Sequence, residues 1–300
     1  METSLDYFER TVRINAPRRR VYEALSSAEL LQQWFAEYAQ LDLAKGLYRF
    51  WGRNTFGNPG QEHAKQRVPA YRPNEEVVID WDYIGRPTTL TLRLRDDGHG
   101  TLLLLEHRLH DNEEQHFFYE ATDNAEVLLY NLKSFCETGK PFLKPEYKEL
   151  RDPVQLSIVV RARPDAVFRA LTDPKEMDDW ISSTAKVDLS LGGEYRYGWS
   201  YEKEGKTLPN GPEKIIRFEP NRVLLTDWRY ENEPRTMVEW KLEVTGNSTR
   251  ITLTHSGFGD SSLLADYVQG WTAFLCILKS KLENKPRVQK PNTASASYVC

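Results

Sequence analysis

The chain has 300 residues and a formal net charge of −4, from 40 basic and 44 acidic side chains. Hydrophobic residues make up 40% of it and charged residues 28%, a balance typical of globular proteins. This length is sufficient for two ordinary domains, each of which can bury its own core. Because basic residues are not in excess, the composition argues against a nucleic-acid partner.

No segment of the sequence predicts insertion into a membrane. Residues 1–14 lack an apolar stretch of signal-peptide length, and no run of about 18 apolar residues occurs. The three cysteines, Cys136, Cys276 and Cys300, form no CxxC pair. We therefore expect a reduced protein of the cytoplasm.

The sequence repeats itself once. One match pairs VRINAPRRRVYEAL (12–25) with VVRARPDAVFRAL (159–171), and another pairs YRPNEEVVIDWDY (71–83) with FEPNRVLLTDWRY (218–230). Equivalent residues lie 146 to 148 positions apart throughout. Solenoid units repeat at about 20–50 residues, so a period of this length indicates a duplicated domain.

Each copy follows the same order of predicted elements. A strand leads to a proline, Pro17 or Pro164, whose fixed φ suits the first turn of a helix. Two short helices follow, then about six to seven alternating strands separated by turns, and finally a long amphipathic helix. The long helix must bury its apolar stripe, and the concave face of a curved antiparallel sheet offers the surface for it. The predicted fold class is α+β, with two tandem domains.

The second copy resembles a known family, the branch of the START-like, SRPBCC superfamily that is similar to the activator of heat-shock protein 90 ATPase. The motifs that carry the resemblance are ARPDAVFRALTDPKEMDDW (162–180), LGGEYRY (191–197), FEPNRVLLTDW (218–228), STRITLTHSGF (248–258) and GWTAFLCILKSKLE (270–283). The first copy resembles this family less fully, because Lys45-Gly46-Leu47 replaces the double glycine and Asn124-Ala125 replaces Gly270-Trp271.

The resemblance implies the helix-grip fold of the birch-pollen allergen, in which the sheet wraps round the long C-terminal helix. In many relatives this arrangement encloses a cavity for a hydrophobic small molecule. We predict a drifted domain at residues 1–140, a linker at 141–153, a domain closer to the family pattern at 154–284 and a flexible tail at 285–300. The superfamily has many functions, so function is argued from the site.

Aromatic side chains on the predicted strands and the long helix indicate a ligand site between sheet and helix. In the second copy the predicted lining residues are Tyr195, Tyr197, Trp199, Trp228, Tyr230, Trp240 and Trp271. In the first copy they are Tyr48, Phe50, Trp81 and Tyr83. Flat rings with a few polar tips suit a planar or polycyclic apolar ligand. The alternative interpretation is that the rings only fill the core.

His107 and His255 occupy equivalent positions on a predicted strand face with apolar neighbours. Each is a candidate polar anchor for a ligand, and His255 is also a candidate general acid–base. The alternative is a core histidine inherited with the fold. We predict no metal site, because His107, His110 and His116 have no acidic or cysteine partner at ligand spacing.

Asp80 and Asp227 are also equivalent, and strand alternation places both on the outer face of the sheet, opposite the aromatic residues. We expect them to belong to a solvated ladder of charges with neighbouring basic residues. They are therefore poor catalytic candidates.

We favour a binding module that holds a hydrophobic, aromatic or polycyclic small molecule, chiefly in the second copy. A second hypothesis is an enzyme of the polyketide cyclase/aromatase or hydrolase-like kind, in which His255 and tyrosine hydroxyls move protons in the same cavity. A third is a co-chaperone of heat-shock protein 90, which is disfavoured because the founding co-chaperone has a different N-terminal domain. A scaffold with filled cavities is the fourth. No phosphate-binding loop, dinucleotide fingerprint or GxSxG motif occurs, so no cofactor is predicted.

Overall fold

A computed structural model describes residues 5–57, 60–203, 206–230, 234–259 and 263–283. The chain divides into two compact units, with the boundary between Glu149 and Leu150. The predicted flexible tail lies outside the described residues. Within the described ranges, no helix is both long enough and apolar enough to cross a membrane.

In the part of the first unit that the structure describes there are seven strands and three α-helices. In chain order they are β1 (Tyr7–Ile14), α1 (Arg18–Ser26), α2 (Ala28–Trp34), β2 (Tyr38–Asp42), β3 (Leu47–Trp51), β4 (Arg67–Arg72), β5 (Glu76–Tyr83), β6 (Arg86–Asp96), β7 (Thr101–Leu109) and α3 (Gln115–Thr138). The strands form one antiparallel sheet in the order β1-β7-β6-β5-β4-β3-β2. Burial along β5 alternates strictly, which places one of its faces in the core.

The described residues of the second unit form nine strands and three α-helices. They are β8 (Val154–Val160), α4 (Pro164–Thr172), α5 (Pro174–Asp178), β9 (Lys186–Val187), β10 (Tyr195–Arg196), β11 (Trp199–Lys203), β12 (Lys206–Asn210), β13 (Ile215–Glu219), β14 (Val223–Trp228), β15 (Thr236–Thr245), β16 (Ser248–Ser256) and α6 (Leu264–Leu282). Five strands form an antiparallel sheet in the order β13-β14-β15-β16-β8, and β9 with β10 and β11 with β12 form two-stranded sheets. The α+β prediction of two tandem domains is confirmed.

Gly198 separates two short strands of the second unit. It lies between β10 and β11 with a φ of +77°, which L side chains rarely adopt. A Cβ atom built there would lie 2.2 Å from Thr184 Oγ1, so only glycine fits. The segment that carries Tyr195 and Trp199 is therefore divided into two short strands, β10 and β11.

Both units have the same hydrogen bond between their two short helices, the first contact of a shared framework. The indole N–H of Trp34 donates to Ala24 O over 3.0 Å, and that of Trp180 donates to Ala170 O over 2.9 Å. These bonds tie the end of the second short helix of each unit to the first. Trp34 and Trp180, which are 146 positions apart, are therefore structural residues.

A second pair of framework contacts anchors the long helices. Lys133 on α3 donates to Arg13 O, and Lys279 on α6 donates to Val159 O, so each lysine binds the end of its unit's first strand. Lys133 and Lys279 are 146 positions apart. This spacing relates α3 to α6 residue by residue.

Residues 142–147, which we call the strap, pack on the first unit. The side chain of Asn131 on α3 forms three hydrogen bonds of 2.9–3.0 Å with the backbone of residues 142 and 143. Lys144 Nζ donates to Gln32 O over 2.7 Å and to Ala36 O over 2.8 Å. The strap thus joins α3 to the C-terminal end of α2.

Candidate functional site

The predicted rings of the second unit lie together and are packed against one another. Tyr195, Tyr197, Trp199, Trp228, Trp240 and Trp271 are all buried. Trp271 of α6 packs edge-on against Trp228 and Trp240, with centroid distances of 5.1 and 5.7 Å. Tyr230 lies beyond the end of β14, is partly buried and has its ring 6.4 Å from that of Tyr201. Strands and helix together therefore fill this interior with aromatic rings.

Phe274 of α6 completes this packing, and it was not among the predicted site residues. Its ring stacks on Trp199 at a centroid distance of 5.4 Å, and that of Trp180 lies 6.5 Å away. Its position one turn from Trp271 on the apolar stripe of α6 was the available signal.

Both nitrogen atoms of His255 are occupied. The Trp271 indole N–H donates to Nδ1 over 3.0 Å, so Nδ1 is an acceptor and the proton of the neutral ring is on Nε2. Nε2 in turn lies 2.7 Å from Thr236 Oγ1. Burial lowers the pKa of His255 from 6.5 to about 3. A proton at Nδ1 would displace the Trp271 bond, so the geometry disfavours His255 as a general acid–base.

The first unit keeps the aromatic wall on its sheet. Tyr48, Phe50, Trp81 and Tyr83 are all buried. Trp81 packs edge-on against Phe50 and Tyr83, with centroid distances of 5.1 and 5.0 Å. His107 is buried behind it, with its ring nearly parallel to that of Trp81 at a centroid distance of 6.4 Å. The four predicted rings and the predicted histidine are therefore brought together.

The sheet of the first unit presents a smaller side chain at one central position. Leu92 pairs with Val77 across β6 and β5, just as Trp240 pairs with Leu224 across β15 and β14. Leucine thus stands where the second unit has a tryptophan. Both side chains are buried.

The long helix differs more strongly. The spacing set by Lys133 and Lys279 places three small residues of α3 where α6 carries aromatic rings. The pairs are Ala121 with Tyr267, Ala125 with Trp271, and Leu128 with Phe274. The side of α3 that faces the sheet therefore occupies much less volume than its counterpart.

A cavity of about 10 Å³ lies in the first unit beside two of these smaller residues, Leu92 and Leu128. Its lining includes Trp34, Phe35, Trp81, Leu92 and Leu128. A volume of this size is about that of a single water molecule. The cavity therefore lies where Trp240 and Phe274 stand in the second unit.

Two polar atoms on neighbouring rings of the first unit are unpaired. Among the described residues, Trp81 Nε1 and His107 Nε2 are buried and have no hydrogen-bond partner. The equivalent indole of the second unit, Trp228, donates to Tyr267 Oη over 3.2 Å. Burial also lowers the pKa of His107 from 6.5 to about 3, so the ring is neutral at pH 7. Sequence reasoning identified both rings but not the loss of their partners, which a position-by-position comparison of the copies would have revealed.

The prediction that two aspartates of the outer face belong to a solvated charge ladder holds for only one of them. Asp80 conforms to it, because its side chain is 33% exposed and pairs with Arg67 over 3.1 Å. Asp227 does not, because its side chain is only 3% exposed and pairs with Arg235. Its Oδ1 accepts the backbone N–H groups of residues 213 and 214 over 3.0 and 2.7 Å. The segment before β13 covers this carboxylate, so the predicted solvated ladder is wrong at Asp227.

An open groove of about 380 Å³ lies beside Asp80 on the outer face of the first unit. There Thr89 Oγ1 lies 2.9 Å from His110 Nε2 and 3.3 Å from Asp80 Oδ1. The hydroxyl bridges the histidine and the carboxylate, whereas an activated nucleophile needs a base that a third group orients. The arrangement is therefore not that of a nucleophilic triad.

Comparison with known proteins identifies the family. The sequence model of the family described as "Activator of Hsp90 ATPase homolog 1-like protein" matches residues 15–137 and again residues 161–283. The chain belongs to this family. Both units are thus domains of the Hsp90-ATPase-activator-homologue type, as the resemblance of the two copies implied. A search of curated proteins found no match.

Three solved structures are described as examples of those similar to this chain. CalU16 from Micromonospora echinospora is 28% identical over 45% of this chain and 76% of its own, with a TM-score of 0.38. DynU16, of the dynemicin biosynthetic locus, is 16% identical over 93% of this chain and 98% of its own, with a TM-score of 0.40. The Aha1 dimer from Colwellia psychrerythraea is 22% identical over 45% of this chain and 98% of its own, with a TM-score of 0.37. Family membership itself rests on the two matches to the family model.

Proposed function

We propose that this protein binds a hydrophobic, aromatic or polycyclic small molecule between the sheet and the long helix, and that the first unit holds the binding site. Sequence reasoning favoured the second unit because it keeps more of the family's motifs. The packing of the two interiors favours the first. A ligand needs volume and exposed ring faces, and in the second unit Trp240, Trp271 and Phe274 occupy both.

The observation that carries this proposal is the loss of volume from α3 and β6. Alanine or leucine stands at four positions where the second unit has tyrosine, tryptophan or phenylalanine. The aromatic wall around Trp81 is kept, and a cavity of about 10 Å³ lies against it. A pocket for an apolar ligand is built from such a wall opposite small side chains.

The cavity holds less than one aromatic ring, so binding requires part of its wall to move. Leu31 and Phe35 at the end of α2 and Leu128 on α3 contribute to that wall. The strap connects the same two helices through Asn131 and Lys144. Release of the strap is therefore the motion that would let α2 and α3 separate.

The test is a titration of the full chain with naphthalene, followed by calorimetry and by the methyl NMR signals of Leu92 and Leu128. We expect saturable binding with shifts of both methyl signals. The Leu128→Phe variant places the residue of the second unit in the cavity and should weaken binding at least tenfold. Circular dichroism and thermal unfolding check that this variant is folded.

Phe274→Leu is the matched control, because it makes the reciprocal change in the second unit. It should leave the naphthalene-induced shift of the Leu92 methyl signals unchanged. Shifts confined to the second unit, or no saturable binding at all, would overturn the proposal.

The two other hypotheses have less support. An enzyme that uses His255 needs a nitrogen free to exchange a proton, and both nitrogens of His255 are engaged. The co-chaperone hypothesis rests on the description of the family alone. It stays a prediction, and its test is whether the chain changes the ATPase rate of heat-shock protein 90.

A further inference from the structure

The unpaired atoms of the first unit point to the chemistry of its ligand, given that the proposed function holds. Trp81 Nε1 is a donor only, and a buried donor without an acceptor loses its bond to water without gaining another. His107 Nε2 is a second buried atom without a partner. Most buried polar groups in proteins are paired. The second unit also has an unpaired indole, Trp240 Nε1, but in the first unit two unpaired atoms lie on neighbouring rings.

The second unit shows how such atoms are satisfied when no ligand is needed. Trp228 Nε1 donates to Tyr267, and His255 bonds to both Thr236 and Trp271. Two of these three partners come from α6. The first unit has alanine at both of the equivalent positions on α3, so its helix supplies neither bond.

Thr88 does not compensate for this loss. It is equivalent to Thr236, but its hydroxyl donates to Trp81 O over 2.9 Å. This bond directs the hydroxyl proton to the backbone of Trp81. His107 Nε2 is left unpaired although the threonine is kept.

We propose that Trp81 Nε1 and His107 Nε2 form a polar subsite that selects an aromatic ligand carrying a hydroxyl group. A hydroxyl oxygen accepts the indole N–H, and the same group can donate to or accept from a neutral imidazole. Trp81 lines the cavity, whereas His107 does not. The His107 ring lies 6.4 Å from that of Trp81, so a ligand that reaches the indole lies next to the imidazole. A purely apolar ligand of the same shape leaves both atoms unpaired.

The experiment compares 2-naphthol with naphthalene by calorimetry on the full chain. We expect 2-naphthol to bind at least about tenfold more tightly, because it pairs groups that naphthalene leaves buried and unsatisfied. Trp81→Phe keeps an aromatic ring but removes the N–H, and it should reduce this preference to less than about threefold.

Trp228→Phe is the matched control, because it removes the equivalent N–H from the second unit. It should leave the preference for 2-naphthol unchanged. His107→Leu provides an independent variant in case Trp81→Phe does not fold, and it should likewise reduce the preference.

Each other outcome has a distinct meaning. If neither compound binds, the proposed function itself fails. If both bind equally to the unmodified protein, the binding function stands and the hydroxyl-selecting subsite is overturned. A full preference for 2-naphthol in both Trp81→Phe and His107→Leu also overturns the subsite.

Discussion

The first and second units share a framework of hydrogen bonds but fill their interiors differently. In both, a tryptophan N–H joins the two short helices, and a lysine ties the long helix to the end of the first strand. At the centre, aromatic rings of the second unit interlock, whereas the first unit has alanine and leucine against a ring wall. The framework contacts define the shape of the domain, and the central positions are free to vary.

Between the two interiors, the volume of the side chains and their hydrogen bonding change together. Tyr267 and Trp271 contribute ring area and also pair with polar atoms of the sheet. Their replacement by Ala121 and Ala125 removes both contributions at once. The same replacements therefore reduce the volume that fills the interior and leave Trp81 Nε1 and His107 Nε2 without partners.

The greatest loss of stability should follow from removing a buried ring from the interior of the second unit. Trp271→Ala removes the ring that contacts Trp228 and Trp240 and leaves His255 Nδ1 without its donor. It should lower the free energy of unfolding of this unit by about 3–5 kcal/mol. Urea unfolding, followed by the indole NMR signals of the second unit, measures this loss. Val244→Ala, at an exposed position, is the control, and a loss below about 1 kcal/mol for Trp271→Ala contradicts the described packing.

The two aspartates of the outer face give the next largest contrast. Asp227→Ala leaves two backbone N–H groups without their acceptor and leaves Arg235 paired only with Glu213, so it should cost about 3 kcal/mol. Asp80→Ala breaks an exposed pair with Arg67 and should change stability by about 0.5 kcal/mol or less. Denaturant unfolding of both variants measures the two costs. Equal costs would show that the two carboxylates have similar environments.

The buried histidines predict a loss of stability in acid. Their pKa values in the folded state are about 3, below the ordinary value of 6.5, so the unfolded chain binds more protons between these two pH values. Stability is therefore fully present above pH 6.5 and is lost as the pH falls towards 3, by about 2 kcal/mol for each histidine between pH 7 and pH 5. Unfolding measured at both pH values checks this. His107→Phe and His255→Phe should each remove about half of the loss, and an unchanged pH dependence in both would show that other groups cause it.

The smallest effect concerns the indole N–H groups. Trp228→Phe loses the bond to Tyr267 and leaves a buried hydroxyl behind, whereas Trp81→Phe removes a donor that has no partner. Trp228→Phe should therefore cost about 1 kcal/mol more than Trp81→Phe. Differential scanning calorimetry of both variants measures the difference. Equal costs would mean that Trp81 Nε1 is satisfied in solution.

The sequence was sufficient to predict the tandem α+β architecture, because repeated motifs and strand alternation depend on local pattern. It also placed Trp240 and His107 on inward-facing strand faces, and both are buried. It could not show whether a ring forms the wall of a pocket or fills it, since that depends on the residue facing it from another element. Ala125 occupies the position equivalent to Trp271, and from the sequence alone this replacement indicates only drift. The packed structure shows which rings would face that position. Asp227 was misplaced because alternation within one strand says nothing about a neighbouring segment that covers it.

The strap has a practical consequence for dividing the chain. A fragment that ends at Lys140, where the repeat ends in sequence, would leave the Asn131 side chain and the carbonyls of Gln32 and Ala36 without the partners they have in the intact protein. A fragment that extends to Glu149 would retain all of them. The strap thus packs as part of the first unit, and a fragment that ends before it would lose these contacts.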